Sequence, residues 1–371
     1  VDLQSIPKYM QLKQEILQWI TGGRLKPDDR LPTEFELSDT FAMSRQTVRQ
    51  AIGELVQEGW LYRVQGKGTF VSSALPQQKK NESAPAIGIV TTYISDYIFP
   101  QIVRGAEAAL RGSGYRLVLS CTDNDKDKEK QCLEMMLEHP LSGLIVEPTK
   151  SAQGNPNLDY FLSLNLSGIP YMMINERYPD LDAPCIKVDD ELGGFLAADH
   201  LISLGHRRIA GFFKVDDLQG VNRMKGFIRA HRERQLGLSP DNVIRYVTEE
   251  KRTKPYKEAE AMLAGSGDGR PTAFVCYNDE LAVMLLEAVR RIGLRVPEDL
   301  SIVGYDDSFL ATATEVKLTT LTHPKEELGV KAAEMLMAMI EAKRPPGEEE
   351  GYVYRPELIV RGSTCAPGEM A

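Results

Sequence analysis

No stretch of the chain carries the roughly 18 consecutive apolar residues that a membrane-spanning helix requires. Nor does an apolar core suited to a secretion signal lie near the N-terminus. The expectation is a protein of the cytoplasm. Cysteine is sparse: Cys121, Cys132, Cys185, Cys276 and Cys365 are odd in number, far apart and never spaced as Cys-x-x-Cys. That pattern argues against a disulfide framework and against a structural zinc site. The histidines His139, His200, His206, His231 and His323 show no metal-ligand spacing. A serine elbow, an HExxH helix and a phosphate loop are all missing, so no enzyme, metal or cofactor is expected.

What remains is 371 residues with 42% hydrophobic and 26% charged side chains, enough for two or three domains. The net charge of −9 is unevenly spread. Through Lys80 there are 11 Lys and Arg against 9 Asp and Glu, and beyond it 33 against 44. A small, mildly basic domain that could meet a nucleic-acid backbone therefore precedes a large acidic one that would discourage non-specific adsorption.

In the basic part, Tyr9, Leu12, Ile16, Trp19 and Ile20 recur at helical spacing up to Gly22-Gly23. Thr33 and Glu36, three apart, form a capping box for a second short helix through Phe41. The third helix, within SRQTVRQAIGELVQEGW from Ser44 to Trp60, has Ser44 as its cap and Gly59 at its end. Val48, Ile52, Leu55 and Val56 make its buried stripe. Arg45, Gln46, Thr47, Arg49 and Gln50 crowd the opposite face, with side chains suited to phosphates and purine edges. Two helices, a tight Ala42-Met43 turn and a third helix make a helix-turn-helix. The alternating segment WLYRVQGKGTFVSS then folds as a hairpin about Gln65-Gly66-Lys67-Gly68. This Gly-Lys-Gly turn lacks the spacing and the following helix of a nucleotide-phosphate cradle, and reads instead as a DNA-touching wing.

These motifs, from Tyr9 through RLPTE, SRQTVRQA and GELVQEG to GKGTFV, resemble the GntR family of winged-helix repressors. The resemblance implies direct DNA contacts at Lys8, Glu34, Arg45, Arg49, Gln65 and Lys67, and Arg30, Gln46, Thr47 and Gly66 complete the expected DNA-binding set. Phosphates repel a carboxylate, so Glu34 is expected to accept from a cytosine amino group, to orient Arg45 or Arg49, or merely to cap its helix. The expected domains are a winged helix at 1–71, a tether at 72–85 and an effector-binding domain at 86–371. SSALPQQKKNESAP has no apolar periodicity and two prolines, which reads as a flexible tether. Such a tether cannot carry torque. A signal would have to act on the separation or orientation of two DNA-binding domains in a dimer.

Beyond Ala86, β-rich runs alternate with helical patterns as far as SIVGYDD, which predicts parallel sheets with helices on both faces and a ligand at the strand ends. Polar residues fall at those ends: Asp96, Tyr97 and Phe99; Glu147 and Lys150; Asn175 and Arg177; Asp189 and Asp190; Lys214, Asp216 and Asp217; Asn278 and Asp279; Asp306 and Asp307. Each Asp or Asn is also a ready helix cap. Together, carboxylate, amide and guanidinium groups beside aromatic faces suit a polyhydroxylated, uncharged ligand. His200 and His206 are expected to be structural, in the LGHRR connection between a helix and a strand.

DD before GG, AADHLISLGHRRIAGF, RMKGF, YNDELA, VPEDLSIVGYDDS and LTTLTHPKEELG resemble the ligand-binding domain of LacI/GalR repressors, itself similar to periplasmic sugar-binding proteins. That resemblance implies two α/β subdomains joined by crossing strands, a sugar between them, and a homodimer. It places sugar contacts on Arg223, Asn278, Asp306 beside Tyr305, and His323. A GntR-type reader on a LacI/GalR-type sensor, with TTYISDYIFP, IVEPTKSA, DDLQGVNRMKGFIRAH and TEVKLTTLTHPK, is similar to the AraR-type repressors of arabinose utilisation. This implies a repressor of carbohydrate genes on palindromic double-stranded operator DNA, released by L-arabinose. The residues alone leave another pentose, a hexose or a nucleoside open.

Overall fold

The computed structural model describes residues 8–57, 59–64, 67–72, 85–138, 140–265, 269–342 and 351–368. Gln65, Gly66, His139 and the predicted tether apart from Ser72 and Pro85 lie outside them. The chain divides into one unit ending at Ser83 and another beginning at Ala84.

In the first unit, helices α1 (Lys8–Thr21), α2 (Glu34–Phe41) and α3 (Arg45–Gln57) precede a hairpin of β1 (Leu61–Val64) and β2 (Gly68–Val71). Its register pairs Leu61 with Val71 and Val64 with Gly68. The Thr33–Glu36 capping box forms as expected, and Ala42 closes α2 in the left-handed conformation at φ 50°. Ser44 accepts from the Thr47 amide at 3.2 Å, and Gly59 takes φ 81° where a side chain would be strained. Val48, Ile52 and Leu55 are buried with Leu12, Ile16 and Leu37, whereas Val56 is only part-covered.

The second unit opens with β3 (Ala86–Thr91), α4 (Phe99–Gly112), β4 (Arg116–Cys121), α5 (Lys126–Leu137), β5 (Gly143–Val146), α6 (Leu158–Leu166), β6 (Tyr171–Ile174) and β7 (Cys185–Val188). There follow α7 (Asp190–Ser203), β8 (Ile209–Lys214), α8 (Leu218–Glu233), β9 (Val243–Tyr246), α9 (Lys254–Ala264), β10 (Ala273–Cys276), α10 (Asp279–Arg291) and β11 (Ser301–Val303). It ends with α11 (Leu310–Ala313), β12 (Thr320–Leu321), α12 (Lys325–Ala342), β13 (Tyr352–Tyr354) and β14 (Leu358–Ile359). One sheet runs β13-β7-β6-β5-β3-β4 and the other β11-β10-β8-β9, with parallel neighbours throughout. Two halves result. The chain crosses between them after β7, between β12 and α12, and between β13 and β14.

Each half is tightened by a pair of glycines where two helices cross. A Cβ on Gly194 of α7 would collide with the backbone oxygen of Arg223 on α8, and one on Gly226 with that of Glu191. Gly105 of α4 and Gly329 of α12 stand in the same relation to Glu326 and Ile102. The first pair fixes the turn of α8 that carries Arg223, so packing here sets the aim of a functional side chain. The predicted alternation stops at SIVGYDD and omits α9, α11, α12 and β12–β14. His200 lies on α7 rather than in the connection after it, and bonds Thr364 Oγ1 at 3.1 Å. His206, inside that connection, bonds Thr272 at 2.9 Å, Ser301 at 3.1 Å and the Cys365 carbonyl at 2.9 Å.

Candidate functional site

A cavity of about 450 Å³ opens between the two halves, walled by the loops at the carboxyl ends of both sheets. Of the residues singled out from the sequence, Asp96, Tyr97, Phe99, Glu147, Asn175, Lys214, Asp217, Arg223, Asn278 and Asp306 line it. Lys150, Arg177, Tyr305 and His323 do not. Lys150 pairs with Glu249 at 2.6 Å, and Arg177 reaches out to Asp182 at 3.6 Å with half its side chain exposed. Tyr305 lies behind the wall with the Arg223 guanidinium 3.5 Å above its ring, and His323 lies behind Asn175.

The floor is a set of buried polar groups that hold one another. Arg223 donates from Nε to Asp190 at 2.7 Å, from Nη1 to the Tyr277 carbonyl at 2.6 Å and from Nη2 to Asp306 at 3.3 Å. Burial works against its charge, but Asp190 and then Asp306 outweigh that and keep the guanidinium charged. The hydroxyl of Tyr97, carried by α4's half, crosses the cleft and donates to Asp306 at 2.7 Å.

Glu147 accepts from the Thr92 amide at 2.9 Å, from the Thr92 hydroxyl at 2.6 Å and from Asn175 at 2.7 Å. Burial pushes its carboxyl up, and those three donors pull it partway back. His323 Nε2 stands 3.2 Å from Asn175 Oδ1. Burial lowers the His323 pKa to about 4, so the ring is neutral and its Nε2–H donates a hydrogen bond to that oxygen. His323 thus fixes the Asn175 amide, which fixes Glu147. Lys214 pairs with Asp217 at 2.8 Å and Asp216 at 3.3 Å; burial opposes its charge, but these carboxylates raise its pKa.

Non-glycine residues with left-handed backbones gather at the cavity: Tyr97 at φ 62°, Asn124 at 55°, Asn175 at 66° and Asp306 at 89°. Such conformations cost energy and persist where surrounding contacts over-determine them. Asn278 also caps α10, its Oδ1 accepting from Leu281 at 2.9 Å, so the cap and the wall roles coincide. The sequence reading missed Tyr93, Tyr246 and Tyr277, which add aromatic faces. Each stands at or just after a predicted strand, a signal the search for polar residues passed over. Lys251 and Arg252 follow a short helical turn that no periodicity announced.

Asp279 stays behind the wall, accepting from Ser308 and Thr320, with no cationic partner in hydrogen-bond contact among the described residues. Burial raises its pKa to about 7, against an unfolded value near 3.9. The folded state therefore binds this proton more tightly, so the stabilisation is full below about pH 4 and is lost as pH rises through about 7. Thermal unfolding of Asp279→Asn is expected to show a shallower fall in stability between those pH values than the parent chain.

In the first unit, Glu34 holds Arg49 through two bonds, 3.2 Å to Nε and 2.9 Å to Nη2, with Arg63 4.0 Å away. Glu34 is thus paired with Arg49 of α3, the contact that an orienting role would need. Arg45 lies over the Phe35 ring at 5.0 Å. Thr47 bonds Ser44, and the Arg30 side chain lies against Gly68 of the wing. Lys8 begins α1 and Lys67 sits in the hairpin turn, both exposed, while Gln46 stays exposed on α3. An exposed basic and amide face on a helix, backed by a wing, is the geometry of a major-groove reader.

Residues 8–71 match the model of the gntR family of bacterial regulatory proteins, and residues 198–364 match the periplasmic binding protein-like domain. The chain is 62% identical, over 97% of its own length and 98% of the relative's, to the arabinose metabolism transcriptional repressor of Geobacillus stearothermophilus. It is 47% identical to the repressor of the same name from Halalkalibacterium halodurans, over 96% of each chain. Among solved structures, a LacI family regulator from Mycobacterium smegmatis superposes with a TM-score of 0.65 at 27% identity, covering 76% of this chain and 100% of that one. A LacI family regulator from Enterococcus faecium, solved with bound ribose, gives 0.64 at 27% identity, covering 76% and 99%. These relatives are transcriptional regulators, not enzymes.

Proposed function

The chain belongs to the family of arabinose metabolism transcriptional repressors, and on that footing we propose that its effector is L-arabinose and its target a palindromic operator gripped by a homodimer. It is a sugar-responsive repressor: a GntR-type winged helix joined to a LacI-type sugar-binding fold. Residues 1–71 read DNA, 72–85 tether, and 86–371 bind sugar and pair with a second copy, all in the cytoplasm. Arg45, Arg49 and Glu34 with the wing make the DNA contacts; Glu147, Asn175, Arg223 and Asp306 hold the sugar.

The observation that carries the effector reading is the balance of the cavity wall. Five acidic side chains, Asp96, Glu147, Asp217, Glu280 and Asp306, meet four basic ones, Lys214, Arg223, Lys251 and Arg252. A wall without cationic excess repels a sugar phosphate and suits neutral hydroxyls, each offered a donor or an acceptor beside a tyrosine face. Release then requires the sugar to favour a state that cannot span two half-sites, a coupling of about 1–3 kcal/mol that acts equally in both directions. Calorimetry of the full chain against L-arabinose, D-ribose, D-xylose and D-glucose tests the assignment. A one-to-one heat with L-arabinose is expected. No heat with L-arabinose and a clear heat with another compound would replace it.

A further inference from the structure

The cavity is larger than one pentose. A dry protein cavity of about 150 Å³ takes a six-carbon ring, or roughly 25 Å³ per heavy atom. The ten heavy atoms of a pentose need about 250 Å³ on that scale. The 450 Å³ here has room for close to twice as many.

Contacts already made between the halves limit how far closing the cleft could reduce this space. Asn124 Nδ2 donates to Thr248 Oγ1 at 2.6 Å, the Leu218 amide to Ser151 Oγ at 2.9 Å, and Lys150 pairs with Glu249 at 2.6 Å. The Tyr97–Asp306 bond adds a bridge deeper in.

Burial also divides the wall by depth. Glu147, Asn175, Arg223 and Asp306 are 1–5% exposed and form the floor. Tyr93, Lys251 and Met284 are part-exposed, and Asp96, Arg252 and Glu280 are exposed at the mouth. The outer part repeats the chemistry of the floor in a wetter setting. Tyr93 and Met284 supply apolar surface, with the Lys251 ammonium 4.8 Å above the Tyr93 ring. Carboxylates and cations around them offer acceptors and donors with no net sign.

We propose that the outer part of this cavity is a second sugar subsite, so that the protein takes a pentose disaccharide whose inner ring lies on the floor and whose outer ring lies between Tyr93 and Met284. The inference rests on the floor being an L-arabinose site. Such a ligand has about nineteen heavy atoms, against the roughly eighteen that the volume allows. A transcriptional response would then follow partly degraded polysaccharide as well as the free sugar.

The test is calorimetry of the full chain with α-1,5-linked L-arabinobiose and with L-arabinose, each also titrated into protein saturated with the other. The expected result is one-to-one binding of the disaccharide, in competition with the monosaccharide. Met284→Trp, which fills the outer part, should lower the disaccharide-to-monosaccharide affinity ratio at least tenfold. Binding of L-arabinose without binding of arabinobiose overturns the subsite while leaving the effector reading in place. Silence with both sugars sinks the effector reading and the subsite with it. An equal loss for both sugars in Met284→Trp overturns the placement of the outer ring.

Discussion

Arg223→Ala is expected to yield a repressor that holds its operator and no longer answers sugar, with affinity for L-arabinose down by at least a hundredfold. Arg223 ties together one side of the floor: it bonds Asp190, Asp306 and the Tyr277 carbonyl and lies on the Tyr305 ring. Removing it leaves two buried carboxylates without their cation, which costs about 3–5 kcal/mol in stability for a broken buried pair. Asp306 would also lose the partner that fixes it against Tyr97, so the cleft would lose a crossing bond as well as a sugar contact. The conservative Arg223→Lys keeps the charge but cannot donate in three directions from one plane, and is expected to recover stability more than sugar affinity. Calorimetry and thermal unfolding read the two effects separately. Sugar affinity within threefold of the parent in Arg223→Ala would remove Arg223 from the site.

Replacing both Arg45 and Arg49 by Ala is expected to weaken operator binding by about 2–6 kcal/mol, from roughly 1–3 for each arginine, with sugar binding unchanged. The free protein already aims both side chains. Glu34 grips Arg49 by two bonds, and Phe35 supports Arg45 from below. Neither guanidinium has to be gathered from a disordered state on contact, so more of its interaction energy reaches the DNA. Glu34→Ala frees Arg49 without removing it, so a smaller loss is expected there than for the arginine itself. Electrophoretic mobility shift at fixed salt measures each, because phosphate contacts make any such affinity depend on salt.

The reader was legible in the sequence because its signals are local: a capping box four residues long, one helix stripe and one turn. Glu34 shows the limit of that reading. Its neighbours left three roles open, and the pairing of residue 34 with residue 49, fifteen positions on, was not among the signals its own stretch carries. The sugar-binding fold was legible through its strand–helix alternation, and strand ends located much of the polar wall, Glu147, Asn175, Lys214, Asp217, Asn278 and Asp306 among it. What escaped was set by long-range contacts. His323 is drawn behind Asn175 by a chain crossing 148 residues away in sequence, so it supports the wall instead of forming it. Tyr305 carries Arg223 on its ring, a placement that needs the space left by Gly193, where a Cβ would collide with the tyrosine. Helix α12 belongs to the first half although it follows the second in sequence, and a reading that follows the chain in order stops before it.

The account turns on one linkage, between a filled cavity and a lost grip on DNA. Fluorescence anisotropy of a labelled operator duplex, titrated with the full chain in the absence and in the presence of saturating L-arabinose, measures it directly. The midpoint is expected to rise by roughly 5- to 150-fold when the sugar is present. Coincident titrations, with calorimetry showing the same protein saturated by sugar, would contradict the account.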